Sequence, residues 1–327
     1  MKKVLITGIN GSGGSYLAEY LLLKKNINKI FGTYRRSSSL KEFNLRNLIK
    51  SKKLSLLKCD LNKIKDIKKI IKKYNFDIIF HLASDADVLK SFFNPREMVI
   101  NNNNITINLL ECLRLCNSKS KIMICSTSEV YGNLGTNKQK ISENTKISPI
   151  NPYAVSKTFQ DLISQNYFQI FGLKIIITRM FTYLNARRNN LFASSFANQI
   201  VKIENKKQKF LNHGNLKSFR TILDIRDAME AYYLAALKGK PGEIYNIGGI
   251  HKHSVGEILN KLIKLSNHKI ITKLNKKLLR PKDIDYQIPD FKKFRNHTKW
   301  RPKYKIDESL IYMMDEIRKK FFFELNK

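Results

Sequence analysis

The constraint that acts hardest on this chain lies at its start. Val4-Leu5-Ile6 is a short apolar run of strand type, and Gly8-Ile9-Asn10-Gly11-Ser12-Gly13-Gly14 follows it at once. Ser15-Tyr16-Leu17-Ala18-Glu19-Tyr20-Leu21-Leu22 then has the spacing of an amphipathic helix. Strand, glycine turn and helix in that order let backbone approach a pyrophosphate closely, with the helix N-terminus supplying amide donors and positive dipole. Gly8, Asn10, Gly11 and Gly14 are therefore the first candidates for holding a dinucleotide.

Further strands are expected at Ile30–Tyr34, Leu54–Leu57, Asp77–Ala83, Ile122–Cys125 and Ile175–Met180, with a helix over Ile105–Leu115 and another beginning at Pro152. Such alternation predicts an α/β fold with a doubly wound parallel sheet and its ligand at the carboxyl ends of the strands. At 327 residues the chain also has room for a smaller C-terminal α/β lobe. We expect a dinucleotide-binding unit over 1–178 plus about 221–248, and a substrate lobe over about 179–220 and 249–327.

The second strand ends in Arg35-Arg36-Ser37-Ser38-Ser39, with no acid between Tyr34 and Leu40. An acid there would bind ribose hydroxyls, whereas arginine accommodates a 2′-phosphate, so Arg35 and Arg36 point to NADP in preference to NAD. Asp60 and Leu61 after the third strand and Leu82 and Ala83 after the fourth complete the expected cofactor contacts. Ala83 is small enough to let the cofactor lie against the backbone.

Chemistry enters at Ser126-Thr127-Ser128-Glu129-Val130-Tyr131-Gly132 and at Asn151-Pro152-Tyr153-Ala154-Val155-Ser156-Lys157. Tyr153 and Lys157 are four apart, so on a helix they share a face. A nearby ammonium lowers the pKa of a phenol toward the range of a general base, which suits removal of a proton from an alcohol.

Lys and Arg number 61 against 26 acids, a net charge of +35, which would favour nucleic acid, a membrane surface or a phosphate-bearing small molecule. The lysines are spread along the chain without an arginine-rich arm, and we read them as compositional, with steering of an anionic substrate as a by-product. Neither nucleic acid nor membrane is an expected partner. Cys59, Cys112, Cys116 and Cys125 form no Cys-x-x-Cys pair, so no metal site or disulfide framework is expected, and buried reduced thiols in a cytoplasmic protein are.

Together these segments resemble the extended short-chain dehydrogenase/reductase family, Rossmann-fold enzymes, and within it the nucleotide-sugar epimerases and dehydratases. Thr7 to Glu19, Arg35 to Ser39, Arg187-Arg188 before the apolar helix at Phe192–Ile203, Gly239–Gly249 and Leu278–Asp283 are similar to GDP-mannose 4,6-dehydratases, the last two also to GDP-4-keto-6-deoxymannose reductases. The resemblance implies that Tyr153 is the base, that Lys157 also holds the nicotinamide ribose, and that Thr127 bonds the sugar O4. It further implies that Glu129 serves the loss of water that separates a dehydratase from an epimerase. Arg187, Arg220, Arg280 and Asp283 become substrate contacts, Arg220 on the diphosphate and Arg280 with Asp283 as a nucleoside clamp. Two departures stand out: Asp283 where dehydratases tend to carry Glu, and Phe181-Thr182-Tyr183 in place of Phe-Asn-His. The expectation is an NADP-dependent nucleotide-sugar 4,6-dehydratase, most of all on GDP-mannose, working as a homo-oligomer. The alternatives are a reductase of the 4-keto product, a C4 epimerase, or a non-catalytic nucleotide- or nucleic-acid-binding protein.

Overall fold

The computed structural model describes residues 1–35, 42–135 and 139–326. Its strands are β1 (Lys2–Thr7), β2 (Ile27–Tyr34), β3 (Leu54–Lys58), β4 (Ile78–His81), β5 (Lys121–Thr127), β6 (Lys174–Met180), β7 (Leu211–His213), β8 (Phe219–Thr221), β9 (Ile244–Ile247), β10 (Lys252–Ser254), β11 (Thr272–Leu274) and β12 (Tyr286–Gln287). The helices are α1 (Ser12–Leu22), α2 (Glu42–Leu45), α3 (Ile64–Lys73), α4 (Val88–Phe93), α5 (Pro95–Leu115), α6 (Pro152–Phe171), α7 (Phe192–Glu204), α8 (Ile225–Lys238), α9 (Val255–Ile263), α10 (Lys292–Thr298) and α11 (Ile306–Leu325).

Seven parallel strands form one sheet in the order β3-β2-β1-β4-β5-β6-β9, the doubly wound arrangement expected from the alternation of elements. Successive side chains of β1 serve opposite faces: Val4 and Ile6 join one buried cluster with α1 and α8, and Leu5 joins another with α3 and α5. Covering both faces makes these strands apolar throughout.

Helix α5 begins at Pro95, well before the expected Ile105. The Asn101–Asn104 run had hidden its first turns, because asparagine breaks the apolar period. Its interior is nonetheless satisfied: Asn102 is fully buried, accepts from the Asp85 amide and donates to the Asp85 carbonyl and the Ser156 hydroxyl.

After β6 the chain leaves the sheet. Helices α7, α9 and α11 bury a separate apolar cluster running from Leu184 to Ile317. Strand β8 pairs antiparallel with β10 and parallel with β12, while β7 pairs with β11. Between these segments, α8 and β9 return to the main sheet, β9 pairing with β6 along its outer edge.

The four cysteines are free, and Cys59 and Cys112 are buried as expected. Cys116 and Cys125 are only half-buried, a correction that for Cys125 follows from its place near the sheet's carboxyl edge, where its sulfur meets the Tyr232 hydroxyl at 3.0 Å. Among the described residues, no helix is long and apolar enough to cross a membrane, and no cluster of three His, Cys, Asp or Glu is placed to hold a metal ion.

Candidate active site

The glycine turn is built for close approach. Gly8 has φ +70°, and a Cβ there would lie 3.0 Å from the Ala83 Cα. A Cβ on Gly14 would collide with the Gly8 carbonyl oxygen. No side chain caps α1 at Gly11, so its first amides are available to an anion. Asn10 is fixed through its carbonyl, which accepts from the Asn44 amide at 3.0 Å. These features fit the pyrophosphate of a dinucleotide.

At the ends of β2 and β3, Arg35 and Asn62 both donate to Asn101 Oδ1, at 3.4 and 3.2 Å, and Asp60 Oδ1 accepts from the Asn62 amide at 3.1 Å. Arg35, Asp60 and the neighbouring Leu61 thus gather at one corner of the sheet, with the Leu61 carbonyl held by Asn108. Arg36, the other residue behind the NADP expectation, lies outside the described residues. Leu82 and Ala83 leave β4 beside the turn, Leu82 within 3.4 Å of a Cβ placed on Gly13.

The reactive groups sit at the carboxyl ends of β5 and α6's first turn. Strand β5 ends at Thr127, and a 3₁₀ turn over Ser128–Tyr131 follows, closed by Gly132 at φ +68°. Helix α6 is capped by Asn151, whose side-chain oxygen accepts the Ala154 amide at 2.8 Å, and Pro152 occupies the first turn. This places the Tyr153 phenol in hydrogen-bond contact with the Thr127 hydroxyl. Glu129 lies nearby, its carboxylate accepting from Asn151 Nδ2 at 2.8 Å and 3.6 Å from Arg280 Nη1.

Lys157 is buried and donates to the Cys125 carbonyl at 2.7 Å and to Gln160 Oε1 at 2.8 Å. Gln160 in turn donates to the Asn102 carbonyl and to Thr106, whose hydroxyl also meets His81. Burial pushes the Lys157 ammonium below the ordinary lysine range. The expectation that Lys157 lowers the Tyr153 pKa needs correction. Burial raises the phenol well above its ordinary value, and the leading cation opposing that rise is Arg188. Lys157 is instead drawn to the Cys125 carbonyl and Gln160.

Three expected substrate residues converge. Asp283 Oδ1 lies 3.6 Å from Arg280 and 3.8 Å from Arg220, and its other oxygen accepts from Asn215 and Ser218. Arg220 is buried and donates to the Phe219 and Ile284 carbonyls, at 2.8 and 2.7 Å. Arg187 does not join them. Its guanidinium pairs with Glu19 at 2.6 Å and stacks 3.8 Å over the Tyr16 ring, because α1 offers it a carboxylate and an aromatic face. Arg188, its neighbour, reaches the site instead: it donates to the Ala86 carbonyl and acts electrostatically on Tyr153, Lys157 and Tyr183. Sequence reasoning had the arginine pair but chose the wrong member. It also missed Asn151, although asparagine immediately before a helix-starting proline is a capping signal.

The sequence profile of a family described as GDP-mannose 4,6 dehydratase matches residues 5–314. The chain is 32% identical over 276 residues to an uncharacterised UDP-glucose epimerase of Bacillus subtilis, covering 82% of this chain and 83% of that one. It is 27% identical to the GDP-mannose 4,6 dehydratase of Drosophila melanogaster, over 96% of this chain and 85% of that one. Among solved structures, UDP-glucuronic acid 4-epimerase of Bacillus cereus, in complex with UDP-glucuronic acid and NAD, superposes with a TM-score of 0.86 at 25% identity, covering 97% and 99% of the two chains.

Proposed function

The chain belongs to the GDP-mannose 4,6 dehydratase family of nucleotide-sugar dehydratases and epimerases, and from that premise we propose that it is an NADP-dependent 4,6-dehydratase acting on GDP-mannose. The observation that carries this reading is the Glu129 carboxylate held by Asn151 beside the Thr127–Tyr153 pair. Alcohol oxidation needs only the tyrosine; elimination needs a carboxylate as well.

When bound, the nicotinamide takes the C4 hydride and later returns it to C6. Tyr153 removes the O4 proton while Thr127 orients that hydroxyl. The C5 proton, acidified by the new ketone, passes to Glu129, and the C6 hydroxyl leaves as water on receiving a proton. Reprotonation at C5 completes a cycle in which the cofactor is unchanged and one water is lost. The glycine turn, Leu82, Ala83 and Lys157 serve the cofactor, and Arg35 at the ribose end supports NADP. Arg188 sits where it can serve either cofactor or substrate phosphates. In the lobe formed by about 179–220 and 249–327, Arg220, Arg280 and Asp283 receive the sugar nucleotide.

The second reading is a reductase of the 4-keto sugar, favoured by Asp283 in the clamp. Purified protein with GDP-mannose and catalytic NADP decides between them. A dehydratase yields a keto sugar without net NADPH change, whereas a reductase consumes NADPH in proportion to keto sugar supplied. A homo-oligomer in the cytoplasm completes the proposal. Exposed Ile100 and Leu115 on α5 and Val155, Leu162, Ile170 and Phe171 on α6 support the oligomer.

A further inference from the structure

The geometry points to Gln287 as a positioning residue for the catalytic turn, a role that rests on the reading of Thr127 and Glu129 given above. Ser128 stands between those two residues, is buried, and exchanges two hydrogen bonds with Gln287. Its hydroxyl donates to Gln287 Oε1 at 3.1 Å, and Gln287 Nε2 donates to the Ser128 carbonyl at 3.1 Å. Both side chains are almost wholly buried, at 3% and 2% exposed, so neither bond competes with water.

A second reciprocal pair flanks the first. Asn133 Nδ2 donates to Asp285 Oδ2 at 3.0 Å, and the Asp285 amide donates to Asn133 Oδ1 at 3.3 Å. Asp285 and Gln287 are two apart in an extended segment and face the same way. Beyond them the Ile141 amide donates to the Ile288 carbonyl at 2.8 Å. The segment 285–288 is thus a rail to which the catalytic turn is fastened from a distance of 159 residues along the chain.

The rail also carries the substrate contacts. In the pairing of β12 with β8, Gln287 stands opposite Arg220, and Arg220 donates to the Ile284 carbonyl at the head of the same segment. An anion drawing on Arg220 therefore acts on the strand that fixes Ser128, and through it on Thr127 and Glu129. Gln287 touches none of the reacting atoms; it acts through the turn.

The test uses Gln287→Met, which keeps the volume and removes both bonds, the milder Ser128→Ala, and the double variant, all as full-length protein. Amide hydrogen exchange across 128–132 should quicken by about tenfold in each, without a matching change in α1 or α3. With GDP-mannose, kcat should fall about tenfold to a hundredfold while KM stays within about threefold. The double variant should lose no more than the worse single, since both break one contact. Unchanged exchange across 128–132, or additive losses with KM and kcat failing together, overturns the assignment. Should the wild-type protein turn over no nucleotide sugar, the dehydratase reading fails by itself and the exchange measurement still decides the role of Gln287.

Discussion

Asn151 grips Glu129 with one end of its side chain and caps the helix of Tyr153 with the other, both at 2.8 Å. One amide thus sets the relative placement of the carboxylate and the phenol. Asn151→Ala should destabilise the protein by about 1 kcal/mol through loss of the cap. It should also slow water loss more than C4 oxidation, as single-turnover absorbance of reduced nicotinamide would report. Equal slowing of both steps would show that the grip on Glu129 is idle.

Glu129→Gln keeps the hydrogen-bonding shape but cannot accept a proton from C5. Reduced nicotinamide should build up in the enzyme with GDP-mannose present, and release of 4-keto-6-deoxy product should fall by about 10² to 10⁴. Product formation at the wild-type rate would take Glu129 off the path.

The Tyr153 phenol is raised by burial and lowered chiefly by Arg188. Oxidation needs the deprotonated phenol, so kcat/KM should climb with pH on the alkaline side. Arg188→Met removes the cation that favours phenolate, and the rising limb should move to higher pH, as a pH–rate profile would show. A limb that stayed in place would mean that Arg188 exerts no influence on the base.

Arg179 Nε donates to Asp161 Oδ2 at 2.8 Å, with both side chains sealed from solvent beneath Tyr131. Asp161→Asn leaves the guanidinium buried without its counter-charge, and a loss of about 3 to 5 kcal/mol is expected in denaturant titration. A loss under about 1 kcal/mol would mean that water or another carboxylate replaces Asp161.

His81 is buried between Thr7 and Thr106, and burial, helped by Lys157, pushes its pKa down to about 3. Its folded pKa is thus depressed below the ordinary value of about 6.5. The stability it contributes is complete above about pH 6.5 and drains away as pH falls toward about 3. His81→Asn should flatten that part of a melting-temperature profile; an unaltered slope would assign acid lability to other groups.

The parallel sheet was legible because its strands are apolar on both faces and the glycine turn marks where the first helix begins. Tyr153, Thr127 and Glu129 were legible as a group because they lie on two short segments whose spacing states their chemistry. What escaped was set by contacts across the chain. Nothing near Arg187 says that Glu19 will capture it, and nothing near Tyr153 says that Lys157 will turn to the Cys125 carbonyl. Gln287 has no local signal at all, since its partner is a serine in another lobe. Helix α5 was cut short because its buried asparagines read as polar surface.

Strand β9 reaches the outer edge of β6 only after the chain has travelled through β7 and β8. During synthesis, then, a nascent fragment ending near Met180 would present β6 as a bare, sticky border open to pairing with other chains. Neither half of this protein is a detachable module. Truncation or a frameshift before Ile244 should give insoluble product, and any split-protein reporter cut from it must keep residues 244–247 with the first piece.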